Sequence, residues 1–274
     1  MPQRLDVSAY TETGRVRAIN EDSFLATDPM FFVADGMGGH SFGDRASQAA
    51  IAALAARVPG ASDPTPDDVR EAVASANTAV RDLSAPEDIG QARAGTTLTG
   101  VARVTTDTGT HWMVVNVGDS RVYTWDGRFL EQLTVDHSAV QELLDTGAIT
   151  PEQALRHPER NVITRALGAD DVVEPDVWVL PAHASQTFLI CSDGLTKELS
   201  DEMIASILAG DVVFGDEPED SPARQLVEAA DVAGGHDNIT AIVLASHVEH
   251  QPSSPDDEDD IDDTHERPNQ PAFS

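Results

Sequence analysis

Met30–Asp35 reads MFFVAD and runs straight into Gly36. An apolar run from Met30 to Ala34, with no polar residue alternating through it, describes a strand buried on both faces. The Asp-Gly that follows marks the point where it meets a loop. The arrangement recurs along the chain. Asp119 ends MVVNVGD, Asp193 ends TFLICSD, and Asp237 immediately precedes NITAIVL. Each aspartate stands beside Gly, Ser or Asn, which let the backbone turn sharply. A single Asp-Gly after a strand is ordinarily a turn, as Asp126-Gly127 is read here. Four acids at the mouths of core strands are a different matter. Carboxylates gathered out of water repel one another unless a cation neutralises them. Oxygen donors without a His or Cys cluster suit Mg²⁺ or Mn²⁺ better than Zn²⁺.

Outward from these strands, sheet and helix patterns take turns. Leu5 to Tyr10 reads as a strand and Asp44 to Arg57 as an Ala-rich helix. Thr65 is placed to cap a helix with Pro66 in its first turn, and Val69, Val73, Ala76, Val80 and Leu83 follow at helical spacing. Strands are expected at Thr97–Val104, Trp112–Val117 and Arg121–Trp125. A type I′ turn at Asp126-Gly127 should lead into Arg128–Leu133. Residues 136–165 are polar, with a short helix near Val140–Leu144. Strands at Val177–Leu180, Thr187–Cys191 and Ile239–Ala245 frame helices at 200–209 and 222–232, capped by Ser200 and Ser221. Grouped strands and grouped helices predict an α+β fold, antiparallel sheets covered by helices.

Charge narrows the function. The 274 residues carry a formal net charge of −31, which leaves no cationic stripe for nucleic acid and is repelled by an anionic membrane. A hydrophobic content of 40% argues against disorder of the whole chain. Residues 249–274 are the exception, with nine acids, one arginine and four prolines, and they read as a disordered acidic tail beyond a domain at 1–248. Removing their −8 still leaves a strongly acidic body. Cys191 is the only cysteine, so no intramolecular disulfide is possible. With no apolar leader and no spanning run, the chain is expected to be soluble and cytoplasmic, and it is taken as a monomer.

Upstream, Arg17-Ala-Ile-Asn20-Glu21-Asp22 offers a rigid guanidinium fork for a phosphate beside two acids able to hold a metal's waters. Taken with RAINED (17–22), ADGMGGH (34–40), GTT (95–97), VGDSR (117–121), LTVDHS (133–138), ITRALG (163–168), CSDGL (191–195) and GHDNIT (235–240), the chain resembles the metal-dependent protein phosphatases, type 2C, in their compact bacterial form. These eight strings occur in family order across about residues 5 to 245. The resemblance implies a four-layer α-β-β-α sandwich with two central antiparallel sheets flanked by helices. It implies hydrolysis of phosphoserine and phosphothreonine in proteins by water activated between two Mn²⁺ or Mg²⁺ ions about 4 Å apart. By position, Asp35 should bridge both ions, the Gly36 carbonyl should bind one, and Asp193 and Asp237 should complete the other. Asp119 with Asp193 matches a third-metal site, Glu21 and Asp22 should act through metal-bound waters, and Arg17 should grip the substrate phosphate. Many eukaryotic relatives have a His after the Asp-Gly as general acid; Met37 stands there, leaving His40 or a metal-bound water. Segment 136–165 matches the variable flap beside the active site. Partners would be phosphoproteins, substrates of a Ser/Thr kinase.

Other chemistries remain open at this point. Gly39-His40-Ser41-Phe42-Gly43 satisfies the G-x-S-x-G of a serine hydrolase, with Asp193 and His236 following in the right order. A thiol phosphatase would need Arg six residues after Cys191, where Lys197 stands, so Cys191 reads as core filler. A non-catalytic phosphoprotein-binding module on the same fold is the third alternative.

Overall fold

The computed structural model describes residues 3–38, 42–57, 63–83, 94–182, 185–210 and 221–248. Within them the chain forms β1 (Gln3–Glu12), β2 (Asp22–Thr27) and β3 (Met30–Met37), then helices α1 (Gly43–Ala55) and α2 (Pro66–Arg81). A short β4 (Gly95–Thr96) precedes β5 (Leu98–Thr106), β6 (Gly109–Val117), β7 (Arg121–Trp125) and β8 (Leu130–Gln132). Helices α3 (Ala139–Asp145) and α4 (Pro151–Ala154) come next, followed by β9 (Asp176–Pro181) and β10 (Gln186–Cys191). The remaining elements are α5 (Asp193–Glu198), α6 (Asp201–Gly210), α7 (Pro222–Ala233) and β11 (Ile239–Val248).

The strands form two sheets. One has the order β1-β11-β10-β7-β8, the other β2-β3-β5-β6-β9 with β4 attached to β3, and every pairing is antiparallel. The missing polar alternation in MFFVAD follows from the layering. Phe31 and Val33 face the opposite sheet, the one built on β11 and β10, while Met30, Phe32 and Ala34 face α1 and α2. In β10, Phe188 and Ile190 meet Phe31 and Val33 in the layer between the sheets, and Leu189 and Cys191 pack under α5, α6 and α7. Side chains alternate along a strand, so a strand between two apolar layers must be apolar throughout. Three apolar layers separate four layers of structure, the α-β-β-α sandwich that the resemblance implies. Trp112 anchors the middle layer, with Phe188 edge-on at 5.5 Å and Phe31 at 6.5 Å between ring centroids. Cys191 is fully buried and its thiol is pushed up to about 12 by burial, which fits a packing residue.

The helix starts follow local chemistry. Thr65 and Asp68 form a reciprocal capping box ahead of α2, with Pro66 at the first position. The hairpin differs from expectation. Trp125 pairs with Leu130, so the connection is a four-residue loop rather than a two-residue type I′ turn. Asp126 Oδ1 accepts hydrogen bonds from the backbone N–H groups of Arg128 and Phe129 at 2.8 and 2.6 Å, which closes the wider loop. β2, β4 and α5 were not anticipated from the pattern. β3 also runs past Ala34 to Met37, because Gly36 and Met37 pair with β4. The acidic tail at 249–274, His40 and Ser41 lie outside the described residues. Among the described residues no helix is long and apolar enough to cross a membrane.

Candidate metal centre

Both sheets deliver acids to one end of the sandwich. Asp35 lies within β3, opposite Asp22 of β2; Asp119 follows β6; Asp193 opens α5 directly after β10; Asp237 precedes β11. Like charges directly opposite on adjacent strands are unfavourable, so Asp22 facing Asp35 is a cost that packing alone does not explain. The backbone of Asp35 is fixed on both sides. Its N–H donates to Thr97 Oγ1 at 2.9 Å, and its carbonyl accepts from Thr96 Oγ1 and the Thr97 N–H, each at 2.9 Å. Asn238 ties the Arg17 loop to β11. Its amide donates to the carbonyls of Thr13 and Ile19 at 2.9 Å, and its Oδ1 accepts from the Glu21 N–H at 2.9 Å.

The carboxyls perturb one another. Burial, then Asp22, Asp193 and Asp119, holds the Asp35 carboxyl well above the usual range. Asp22 is pushed up to about 7 by burial with Asp193 and Asp237 beside it, although Thr240 donates to its Oδ2 at 2.7 Å. Asp119 also reaches about 7, from burial and then Asp193 and Asp136. Asp193 is raised by burial, which outweighs Lys197, and Glu21 is raised by burial. Asp237 alone is lowered: burial pushes it up, but Lys197 and Arg17 prevail. Asp22 Oδ1, Asp44 Oδ1, Asp119 Oδ1 and Asp193 Oδ1 are buried with no hydrogen-bond partner. Buried charged oxygens without partners are costly, and a cation removes that cost. The donor set therefore fits a hard divalent ion. No three acidic, His or Cys side chains among the described residues already close into a shell. The Lys197 ammonium stands between two of these acids, 2.5 Å from Asp193 Oδ2 and 3.1 Å from Asp237 Oδ2. Arg17, which the resemblance assigns to the substrate phosphate, pairs here with Asp237, with Nε 2.8 Å from Oδ1 and a terminal nitrogen 2.9 Å from Oδ2.

The sequence profile described as Protein phosphatase 2C matches residues 14–229. The chain belongs to the protein phosphatase 2C family. This phosphatase is 36% identical over 244 residues to the serine/threonine phosphatase stp of Listeria monocytogenes, covering 85% of this chain and 93% of that one. It is 39% identical over 242 residues to the serine/threonine protein phosphatase PstP of Mycobacterium tuberculosis, covering 87% of this chain and 44% of PstP. The crystal structure of the M. tuberculosis phosphatase superposes with a TM-score of 0.76 at 39% identity, covering 90% of this chain and 99% of that one. A structure of the PstP catalytic domain in complex with two manganese ions gives a TM-score of 0.76 at 37% identity, covering 90% of this chain and all of that one. With such relatives over most of its length, this phosphatase is an enzyme and a member of the serine/threonine phosphatases.

The structure places Arg17, Glu21, Asp22, Asp35, Gly36, Asp119, Asp193 and Asp237 at the same end of the two sheets. His236 departs from the hydrolase order: its Nδ1 lies 2.8 Å from Glu198, while Asp193 is held by Lys197. Sequence reasoning missed Lys197, Thr240, Asn238 and Asp44. Lys197 had a legible signal, since i,i+4 spacing on a helix places it on the Asp193 face. The expected flap is anchored here, with the Gly118 N–H donating to His137 Nδ1 at 3.0 Å and Arg121 forking onto Asp136.

Two glycines are required by close approach. A Cβ on Gly36 would lie 2.1 Å from the Gly43 carbonyl oxygen, and one on Gly194 would lie 1.9 Å from that of Asn238. The second clash is with the segment that carries Asp237 into β11. Gly194→Ala should push α5 away from β11 and cost about 3 kcal/mol or more, by overpacking against backbone that cannot yield. Thermal unfolding of the metal-free protein measures this directly.

Proposed function

We propose that this phosphatase hydrolyses phosphoserine and phosphothreonine in proteins, using two Mn²⁺ or Mg²⁺ ions. The observation that carries the reading is the set of buried, mutually raised carboxyls with unpartnered oxygens at one end of both sheets. The PstP structure with two manganese ions supports it by similarity. Asp35 would bridge two ions, with the Gly36 carbonyl on one and Asp193 and Asp237 on the other. Asp119 and Asp193 would share a third, while Glu21 and Asp22 act through water. Bound cations supply an activated water and screen the phosphate. Arg17 turns its fork from Asp237 to the phosphate oxygens, which brings positive charge to an otherwise anionic site. His40, or water held by the ions, would supply the proton to the departing seryl or threonyl oxygen.

The catalytic domain is assigned to 1–248, with 136–165 as a flap that influences substrate choice. The substrates are phosphoproteins made by a Ser/Thr kinase, and the protein works in the cytoplasm as a monomer. So acidic a body disfavours acidic phosphopeptides and selects neutral or basic sequence around the phosphate. Deleting residues 249–274 should leave turnover of an aryl phosphate unchanged within about twofold, because every residue assigned to the metal centre precedes them in the sequence. Steady-state kinetics on both forms checks this.

The deciding assay is Mn²⁺-dependent hydrolysis of a phosphothreonine peptide, compared with a bis-aryl phosphodiester, with EDTA in one arm and a serine-directed acylating reagent in another. Loss with EDTA and resistance to the reagent are expected. Activity that survives EDTA and falls to the reagent would restore Ser41 as the nucleophile. Absence of any turnover would favour the non-catalytic phosphoprotein-binding alternative.

A further inference from the structure

Lys197 is the only lysine in the chain, and it sits inside the acid cluster. One turn of α5 separates it from Asp193, and its ammonium also reaches Asp237 on the segment before β11. The side chain is 35% exposed, against 15% for Asp193 and 19% for Asp237, so a water-facing position was within reach. Among the described residues, Lys197 and Arg17 are the cations ion-paired to Asp22, Asp35, Asp119, Asp193 or Asp237. Together they engage both oxygens of Asp237, and Lys197 takes Oδ2 of Asp193. A surface ion pair contributes little to stability. An ammonium shared by two desolvated carboxylates differs, because removing it leaves those charges facing each other.

We infer that Lys197 is a resident counter-cation: it holds Asp193 and Asp237 together in the metal-free protein, and a divalent ion binds there only by displacing its ammonium from both carboxylates. The inference rests on the assignment of Asp193 and Asp237 as metal ligands. Its consequence is that ion pairs lost on loading are set against metal affinity, so Lys197 tunes the site toward reversible occupancy. The same ion pairs keep the empty site from pushing α5 and β11 apart.

Two measurements on the full chain test it, neither reading activity. Calorimetry with Mn²⁺ should show about tenfold tighter binding for Lys197→Met than for the unsubstituted protein, a shift of about 1.4 kcal/mol. Metal-free Lys197→Met should melt at a lower temperature than the unsubstituted protein, with the gap closing at saturating Mn²⁺. Should Lys197→Met fail to fold without metal, Lys197→Gln takes its place. The second measurement uses protein labelled with ¹³C,¹⁵N-lysine, which gives one side-chain signal set. The ammonium resonance of the metal-free protein should move to the position of a free lysine as diamagnetic Mg²⁺ is added to saturation. Equal or weaker Mn²⁺ binding by the variants, or a lysine signal unmoved at saturation, overturns the inference while leaving the metal centre intact. Absence of Mn²⁺ binding to every form overturns the metal centre and this inference with it.

Discussion

Asp35→Ala and Asp193→Ala should each lower Mn²⁺-dependent turnover by about 10³-fold or more, equivalent to about 4 kcal/mol of transition-state stabilisation. Asp35 is the more informative of the two. It stands on β3 directly across from Asp22, and its backbone is pinned by Thr96 and Thr97, so substitution removes a carboxylate without freeing the strand. In the metal-free protein that carboxylate is a liability, its pKa held well above the usual range by burial and then by Asp22, Asp193 and Asp119. Asp35→Asn should therefore leave metal-free stability unchanged or raise it, while activity collapses. A purely structural residue would show the opposite split, with stability and activity falling together. Steady-state kinetics and thermal unfolding on the same preparations separate the two. Full turnover in both alanine variants would sink the metal-centre assignment.

The metal-free protein should lose several kcal/mol of stability between about pH 4 and pH 7, and Mn²⁺ should restore it at the upper end. Asp22 and Asp119 are pushed up to about 7, from the ordinary 3.8, by burial and neighbouring carboxylates. In that window the unfolded chain has released these protons while the folded chain retains them. Stability then falls as pH rises, by up to about 1.4 kcal/mol per pH unit for each such group. The two sites interact, so the total is less than their separate sum. Asp237, lowered by Lys197 and Arg17, runs the other way: it stabilises above pH 4, and that contribution is lost on acidification. A ligand at a hundred times its dissociation constant contributes about 2.7 kcal/mol, enough to show in a melting curve. The measurement is thermal unfolding from pH 5 to pH 8, in EDTA and in Mn²⁺. Asp119→Asn should flatten the EDTA profile, which separates this site from the general repulsion of a strongly anionic protein. A melting temperature in EDTA that rises steadily from pH 5 to pH 8 would contradict the prediction.

Much of the fold was legible because burial on two faces leaves a mark in composition. MFFVAD, TFLIC and the strand after Asp237 are apolar on consecutive residues, and only a strand between two layers demands that. The helix caps at Thr65 and Ser221 were equally readable, since each satisfies its N-terminus within four residues of sequence. Short elements were not. β2 is half-polar and β4 is two residues long, so both form through their pairing with β3 rather than through any local preference. The loop at Asp126 misled for a related reason: the Asp-Gly signal was real, but the strand register with Leu130 set its length.

The sequence by itself determined that four aspartates lie at the mouths of core strands, because apolar runs and turn residues are local facts. It also determined the family, through ordered motifs whose likeness to known phosphatases spans most of the chain. Only the tertiary structure decided what those acids meet. Asp22 opposes Asp35 across β2 and β3, and Lys197 reaches Asp237 across 40 residues of chain. Arg17 reaches the same carboxylate across 220. Electrostatic energy depends on distance in space and on exclusion of water, and neither is written in sequence separation. Counting put the charge at −31; folding decided which few of those acids are buried together and therefore need a cation.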